Sequence, residues 1–273
     1  MAKITRITTQ KKANQRYNIF LSDENQGEHY GFSVDESVLI NFQLRKGMEI
    51  SDAMAATIKK SDSMYQSYTL AINYLSFRMR TKKEMLDYLT EKEVDPNHIS
   101  SVMGRLVNEG LLDDRQFAEM FVRSRINTSS KGPAMIKQEL MNKGVEANVA
   151  DEALKQFSFA LQYDKVEGLV EKKLQQKKKQ SFQKQLQNVQ ALLQQKGYTK
   201  DVIQAVFHEI PCAKDDHAEW EAIIYHGEKL RKKHTLKRSG FELKQKIKEG
   251  LYRKGFSLDL IQQYIESCLE KKK

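Results

Sequence analysis

Leu140-Met-Asn-Lys-Gly-Val145, Leu193-Gln-Gln-Lys-Gly-Tyr198 and Leu251-Tyr-Arg-Lys-Gly-Phe256 are one pattern written three times. Leu89-Thr-Glu-Lys-Glu-Val94 is a degenerate fourth copy, and successive copies lie 51, 53 and 58 residues apart. Glycine one step past a helix occupies the left-handed position, where the missing Cβ removes the steric penalty. The pattern therefore predicts a helix end at each copy, with Gly144, Gly197 and Gly255 at positive φ.

The agreement extends in both directions. Eight and nine residues beyond each copy stand Val102/Met103, Ala153/Leu154, Val206/Phe207 and Tyr264/Ile265, all apolar. Upstream lies a further amphipathic face in each unit: Tyr68/Ala71/Ile72/Leu75, Phe117/Ala118/Phe121/Val122, Val166/Leu169/Val170 and Trp220/Ile223/Ile224. Each unit reads as helix 1, basic turn, helix 2, Gly turn, helix 3. Thr81-x-x-Glu84 and Ser239-x-x-Glu242 fit capping boxes, Asp113 precedes Gln116 in the same way, and Asp95-Pro96 sets a cap before a proline at the first helical position. The domains read as an extension over 1–62 and three-helix repeats over 63–112, 113–160, 161–212 and 213–273. A unit of about 50 residues buries little by itself, so stacking is expected to complete each core in an elongated, curved array.

The first 62 residues differ. Tyr17, Ile19 and Leu21 alternate with polar residues, as do Tyr30, Phe32 and Val34, around the turn-rich Ser22-Asp-Glu-Asn-Gln-Gly27. This predicts a β-hairpin. A short helix should carry Val38, Leu39 and Phe42 on one face, and another should start from Ser51 as cap and run to about Lys60.

Charge is the second signal. The net charge of +10 is uneven: residues 1–160 hold 22 Lys+Arg against 21 Asp+Glu, and residues 161–273 hold 24 against 15. The C-terminal part therefore carries a field that seeks polyanions. Charges cluster at the helix 1–helix 2 turns. Repeat one has Arg78, Arg80, Lys82 and Lys83, and repeat two has Arg123, Arg125 and Lys131. Repeat three has Lys172, Lys173, Lys177, Lys178, Lys179 and Lys184, and repeat four has Arg231, Lys232, Lys233, His234, Lys237 and Arg238. Arginine, with its planar fork, suits defined carboxylate or phosphate contacts, while lysine acts as a mobile point charge. One or two such charges per helix would only complement the helix dipole; the run from Lys172 to Lys184 exceeds that need.

Catalytic and cofactor signatures are absent from the sequence. There is no P-loop, no His-Glu-x-x-His and no nucleophile elbow. Cys212 and Cys268 are far apart, which argues against both a disulfide framework and a zinc knuckle. Asp216-His217 is a poor metal pair, and Asp113-Asp114 reads as a cap before Phe117 rather than as a catalytic pair. Trp220, Tyr68, Phe117 and Phe121 read as core rather than as base-stacking platforms. No apolar run approaches the roughly 20 residues that span a bilayer, and the N-terminus lacks a signal peptide's apolar core. The chain is expected to be a cytoplasmic, non-catalytic protein with neither cofactor nor metal and no membrane contact.

Three segments carry a resemblance: Ala71-Ile-Asn-Tyr-Leu-Ser-Phe-Arg-Met-Arg-Thr-Lys-Lys-Glu-Met-Leu86; Leu106 through Gly110-Leu-Leu-Asp-Asp-Arg-Gln-Phe-Ala118 to Phe121-Val-Arg-Ser-Arg125; and Lys131-Gly-Pro through Ile136-Lys-Gln-Glu-Leu140 to Val145. In this order and spacing they resemble RecX regulatory proteins, over about a quarter of the chain by motif and from about residue 67 onward by repeat architecture. The resemblance implies a monomeric array lying in the groove of a RecA–DNA filament. There it would hinder filament growth and strand exchange and lower ATP hydrolysis and co-protease activity by RecA. It implies surface contacts by Arg78, Arg80, Arg123, Arg125 and Lys131. The remaining basic-turn residues, Lys82, Lys83, Lys177, Lys178, Lys179, Arg231, Lys232 and Lys233, extend this into a stripe able to meet single- or double-stranded DNA. The extension and the fourth repeat depart from the shorter members. An independent, non-specific DNA-binding protein is the alternative reading, and a nuclease is disfavoured by the lack of clustered carboxylates.

Overall fold

The computed structural model describes residues 2–10, 15–23, 27–176, 179–209, 216–236 and 240–270. The N-terminal part is a four-stranded antiparallel sheet, not a hairpin alone. Its strands β1 (Ala2–Thr9), β2 (Arg16–Ser22), β3 (His29–Asp35) and β4 (Glu49–Ile50) stand in the order β3-β2-β1-β4. The expected hairpin is β2–β3. Strand β1 escaped sequence reading because its pairing with β2 shifts register between Ile4 and Arg6, so its apolar residues fall three apart instead of two. Ile4, Ile19, Leu21, Phe32 and Val34 form one buried cluster with Val38 of helix α1 (Glu36–Asn41) and Ile58 of helix α2 (Asp52–Ser76).

Helix α2 begins as expected, with the Ser51 hydroxyl accepting from the Met54 amide, but it does not stop near Lys60. It runs on to Ser76 and supplies helix 1 of the first repeat. Neither Gly nor Pro interrupts this stretch. Asp62, just past the expected end, is buried and paired: it accepts from Arg16 at 2.8 Å, from the Asp35 amide at 2.7 Å and from Gln66 at 2.6 Å. The sheet is thereby tied to the helix that opens the repeats.

Twelve further α-helices follow α1 among the described residues. Repeat one is α2, α3 (Lys82–Glu91) and α4 (Pro96–Asn108). Repeat two is α5 (Asp114–Thr128), α6 (Pro133–Asn142) and α7 (Ala147–Leu154). Repeat three is α8 (Phe159–Leu174), α9 (Phe182–Gln195) and α10 (Lys200–Glu209). Repeat four is α11 (Asp216–His234), α12 (Gly240–Tyr252) and α13 (Leu258–Tyr264), prolonged by a π-helical stretch, Ile265–Glu270. Thr81 and Glu84 make the full capping box, and Asp113 and Asp95 cap α5 and α4. Ser239 lies outside the described residues. By internal contacts the chain divides into two compact units, residues 1–118 with 141–149 and residues 119–140 with 150–273.

The repeated Leu-x-x-Lys-Gly pattern has a direct structural meaning. Gly144, Gly197 and Gly255 have φ of 87°, 82° and 83°, and Glu93 in the degenerate copy has φ of 55°. The amide of the apolar residue reaches back to the carbonyl of the pattern's leucine in Val94→Leu89 (3.1 Å), Tyr198→Leu193 (3.2 Å) and Phe256→Leu251 (3.4 Å). This six-to-one bond satisfies a carbonyl that the helix end leaves orphaned. Leu89, Leu140, Leu193 and Leu251 are fully buried, so the leucine closes the core while the glycine turns the chain.

Each Lys-Gly turn is also a joint to the helix 2 before it. In the first unit, the hydroxyl of Thr81, cap of α3, donates to the Lys143 carbonyl at 2.6 Å. In the second unit, the hydroxyl of Ser181, cap of α9, donates to the Lys254 carbonyl at 2.6 Å. Helix α6 makes the corresponding joint with its backbone: the Gly132 amide meets the Lys196 carbonyl at 2.7 Å, and the Ala134 amide meets the Gly197 carbonyl at 3.1 Å. Carboxylates add to two of these joints, with Asp114 accepting from the Lys82 amide at 2.9 Å and Glu219 from the Phe182 amide at 2.7 Å. Helix starts expose unpaired donors and helix ends unpaired acceptors, and the repeats satisfy one with the other.

Candidate functional site

The basic turns predicted from sequence are not uniformly free. In repeat one, Arg78 pairs with Glu84 at 3.2 Å. The Arg80 guanidinium lies 3.9 Å above the Tyr74 ring, which stacks on Tyr88 at 3.8 Å with the planes 5° apart. The Lys92 ammonium stands 5.7 Å from the Tyr88 ring, so cations flank a tyrosine pair. Lys82 and Lys83 are exposed. Glu84 also accepts from Lys143 at 2.6 Å. Partial burial pushes the Glu84 carboxyl up, but Lys143, the Thr81 amide and Arg78 outweigh it and hold the group below the usual carboxylate range.

Repeat two shows the same economy. Glu139 accepts from Arg125 at 2.7 Å and from Lys131. Burial opposes its ionisation, yet the two cations keep its pKa depressed. Arg125 further covers the Phe121 ring at 4.7 Å. Arg123 is exposed on α5.

In repeat three Lys172 is exposed, and Lys179, also exposed, holds its ammonium 4.6 Å from the Tyr225 ring. The Lys179 carbonyl meets His226 Nε2 at 2.7 Å, which fastens the loop to α11. In repeat four Arg231 pairs with Glu228 at 3.3 Å, and Lys232 and Lys233 are exposed. Lys177, Lys178, Lys237 and Arg238 lie outside the described residues. In the first two repeats Arg78, Arg80 and Arg125 are thus engaged within the fold while Lys82, Lys83 and Arg123 are exposed, and in the last two the solvent-facing cations are chiefly lysines.

Sequence reading missed the acidic partners. Glu84 could have been found, since the capping box places it next to the turn. Glu139, fourteen residues from Arg125, has no local signal. It also missed that the turn of repeat one carries Phe77, 82% exposed, and Met79, 41% exposed, between its arginines. Among the described residues no group of three or more His, Cys, Asp and Glu is placed to hold a metal ion, and no helix is long and apolar enough to cross a membrane.

A small antiparallel sheet followed by tandem three-helix units, joined through Lys-Gly turns and edged with basic side chains, defines a helical-repeat scaffold protein. Family descriptions match nearly all of it: the regulatory protein RecX N-terminal domain at residues 2–51, the first RecX three-helix domain at 68–106, the second at 113–154, and the third twice, at 161–207 and 217–265. The chain belongs to the RecX family of regulatory proteins. It is 52% identical to the regulatory protein RecX of Oceanobacillus iheyensis over 270 residues and 39% identical to that of Bacillus cytotoxicus, each alignment covering 99% of both chains. A crystal structure of regulatory protein RecX superposes with a TM-score of 0.66 at 34% identity, covering 77% of this chain and all of that one. RecX from Lactobacillus salivarius superposes with a TM-score of 0.53 at 33% identity, over 55% of this chain and 97% of that one.

Proposed function

We propose that this chain binds the RecA–DNA filament and inhibits the recombinase, ATPase and co-protease activities of RecA, acting in the cytoplasm as a monomer without a catalytic site of its own. The observation that carries the reading is likeness to RecX regulatory proteins along the whole chain, extension and fourth repeat included. The assigned contact surface is the set of helix 1–helix 2 turns. Arg78, Arg80, Lys82, Lys83, Arg123, Arg125 and Lys131 serve defined contacts, and Lys177, Lys178, Lys179, Arg231, Lys232 and Lys233 serve a looser grip on phosphates.

The test is ATP hydrolysis by the cognate RecA on single-stranded DNA. Adding the chain below the RecA concentration is expected to slow hydrolysis, and the chain alone should hydrolyse neither ATP nor DNA. Unchanged hydrolysis at a molar excess over RecA rejects the reading. A second reading, non-specific DNA binding independent of RecA, draws on one observation, the charge excess of residues 161–273 with exposed Lys172, Lys179, Lys232 and Lys233. It requires that inhibition disappear when DNA is supplied in excess over both proteins.

A further inference from the structure

The turn of the first repeat, Phe77-Arg78-Met79-Arg80, has its apolar side chains outside. Phe77 follows α2 directly and is 82% exposed, whereas its aromatic neighbours Tyr74 and Tyr88 are half-buried in their stack. An exposed phenyl ring gains nothing for folding, since its transfer out of water is never completed. Met79, two residues on, adds an adaptable apolar surface.

Arg80 supplies the second observation. Arg16, Arg78, Arg105, Arg125, Arg231 and Arg253 each have a carboxylate partner. Arg80 has none among the described residues; Arg45, Arg115 and Arg123 lack one as well, but of these only Arg80 has a guanidinium nitrogen, its Nε, buried without an acceptor. Its guanidinium is nonetheless held in one place by the Tyr74 face at 3.9 Å. A planar donor fork fixed by stacking and left without an anion is preorganised for one from outside, because ordering it costs little at the moment of contact. Charge around the turn is otherwise balanced. Arg78 is neutralised by Glu84, and Lys82 and Lys83 stand in α3 with Glu84, Asp87 and Glu91. Such a surface is poorly suited to phosphate grip by bulk attraction. It suits a protein that offers an apolar pocket with a carboxylate at its edge.

We infer that Phe77 and Arg80 form a protein-docking anchor, in which the phenyl ring, aided by Met79, fills an apolar pocket of the partner while Arg80 takes a carboxylate beside it. The inference rests on the proposed function, which supplies the partner: a protomer of the RecA filament. It assigns the central contact to an apolar side chain, where the sequence pointed only to arginines and lysines.

Phe77→Ala and Arg80→Gln in the full chain test it, with the cognate RecA assembled on poly(dT) and ATP hydrolysis and co-sedimentation as readouts. Central aromatic and arginine anchors dominate protein interfaces, so each variant is expected to raise the half-inhibiting concentration about tenfold or more. Phe77→Ala should keep the thermal midpoint of the parent, because its ring is exposed, and should bind poly(dT) alone as the parent does. Parent-like inhibition by Phe77→Ala overturns the anchor. Loss of poly(dT) binding by Phe77→Ala in the absence of RecA also overturns it, in favour of base stacking. If Arg80→Gln loses helicity or thermal stability, Arg80→Met, which keeps a long stem against Tyr74 without charge or donors, takes its place, and parent-like inhibition by that variant overturns the carboxylate contact. If the parent chain itself neither inhibits nor sediments with the filament, the proposed function fails, and the anchor with it; that outcome is read on the parent and so differs from failure of the variants.

Discussion

Glu84 shows how much one side chain settles in this protein. It closes the capping box of α3, accepts from Lys143 of the following repeat and neutralises Arg78. Its carboxyl is held below its ordinary value, so its contribution to stability is present above the unfolded-state value of about 4.3 and is lost as pH falls through the folded-state value. Glu139, held down by Lys131 and Arg125 in repeat two, acts in the same sense. Glu84→Gln is expected to lower stability at pH 7 by about 1.5–3 kcal/mol, the range for a lost hydrogen bond to a charged group. The difference from the parent should shrink as pH falls through the parent's depressed carboxyl value, because the parent's own carboxyl is neutralised there. Urea midpoints from pH 7 to pH 3 measure it, and a difference independent of pH contradicts the ion-pair assignment. The lysine of the repeated pattern is thus a structural cation at Lys143, and also at Lys196, whose ammonium meets the Ser130 hydroxyl at 2.6 Å.

At the scale of the helix and its turn, two demands meet at the Gly of the pattern, and they can be separated. One is conformational: positive φ costs a residue with Cβ about 1–2 kcal/mol. The other is spatial. A Cβ on Gly197 would lie 2.7 Å from the Met135 amide nitrogen at the start of α6, whereas one on Gly110, also at positive φ, would meet nothing within 4 Å. Gly110→Ala is therefore expected to cost about 1 kcal/mol, and Gly197→Ala at least about 2 kcal/mol, since backbone must move as well. Glu93→Gly, at an exposed turn with φ of 55°, should gain up to about 1 kcal/mol. Thermal or urea unfolding of the three variants decides the order; equal costs for Gly110→Ala and Gly197→Ala would remove the spatial demand. The degenerate copy is explained by the same distinction. Glu93 belongs to the first repeat, before which no helix 2 stands, so only the conformational demand remains and a side chain is tolerated.

Over the whole molecule, charge is distributed by role. Residues 1–160 are almost neutral, and their arginines are largely engaged in the repeats' own structure. The excess sits in residues 161–273, where Lys172, Lys179, Lys232 and Lys233 face solvent. Replacing these four by Gln is expected to weaken binding to bare poly(dT) and to flatten its dependence on salt. The slope should fall by up to about 3, at about 0.7 per phosphate contact on single strands. Thermal stability should hold, since exposed lysines contribute little to it. An unchanged slope, measured by fluorescence titration between low and moderate salt, would show that the excess charge does not contact DNA.

The repeat was legible in the sequence because its causes are local. A leucine facing the core, a glycine at positive φ and a cap residue at a helix start each act within one turn of backbone, and their spacing recurs. The hairpin β2–β3 was legible for the same reason, by alternation. What only the tertiary structure decided depends on residues far apart in the chain. Strand β1 joined the sheet through a bulge that hides its period, and α2 passed through Asp62 because Arg16, Asp35 and Gln66 satisfy that carboxylate. Lys143 met Thr81 and Glu84 across about sixty residues, and Glu139 drew in Arg125 and Lys131. The basic turns were visible as composition; which cations are spent inside the fold and which remain for a partner was not. That division follows from pairing, since a charge carries no mark in the sequence of the opposite charge that folding will bring beside it. Phe77 and Arg80 stood in plain sight among residues of their kind, and only the tertiary structure showed an exposed ring beside a stacked guanidinium whose buried Nε has no acceptor.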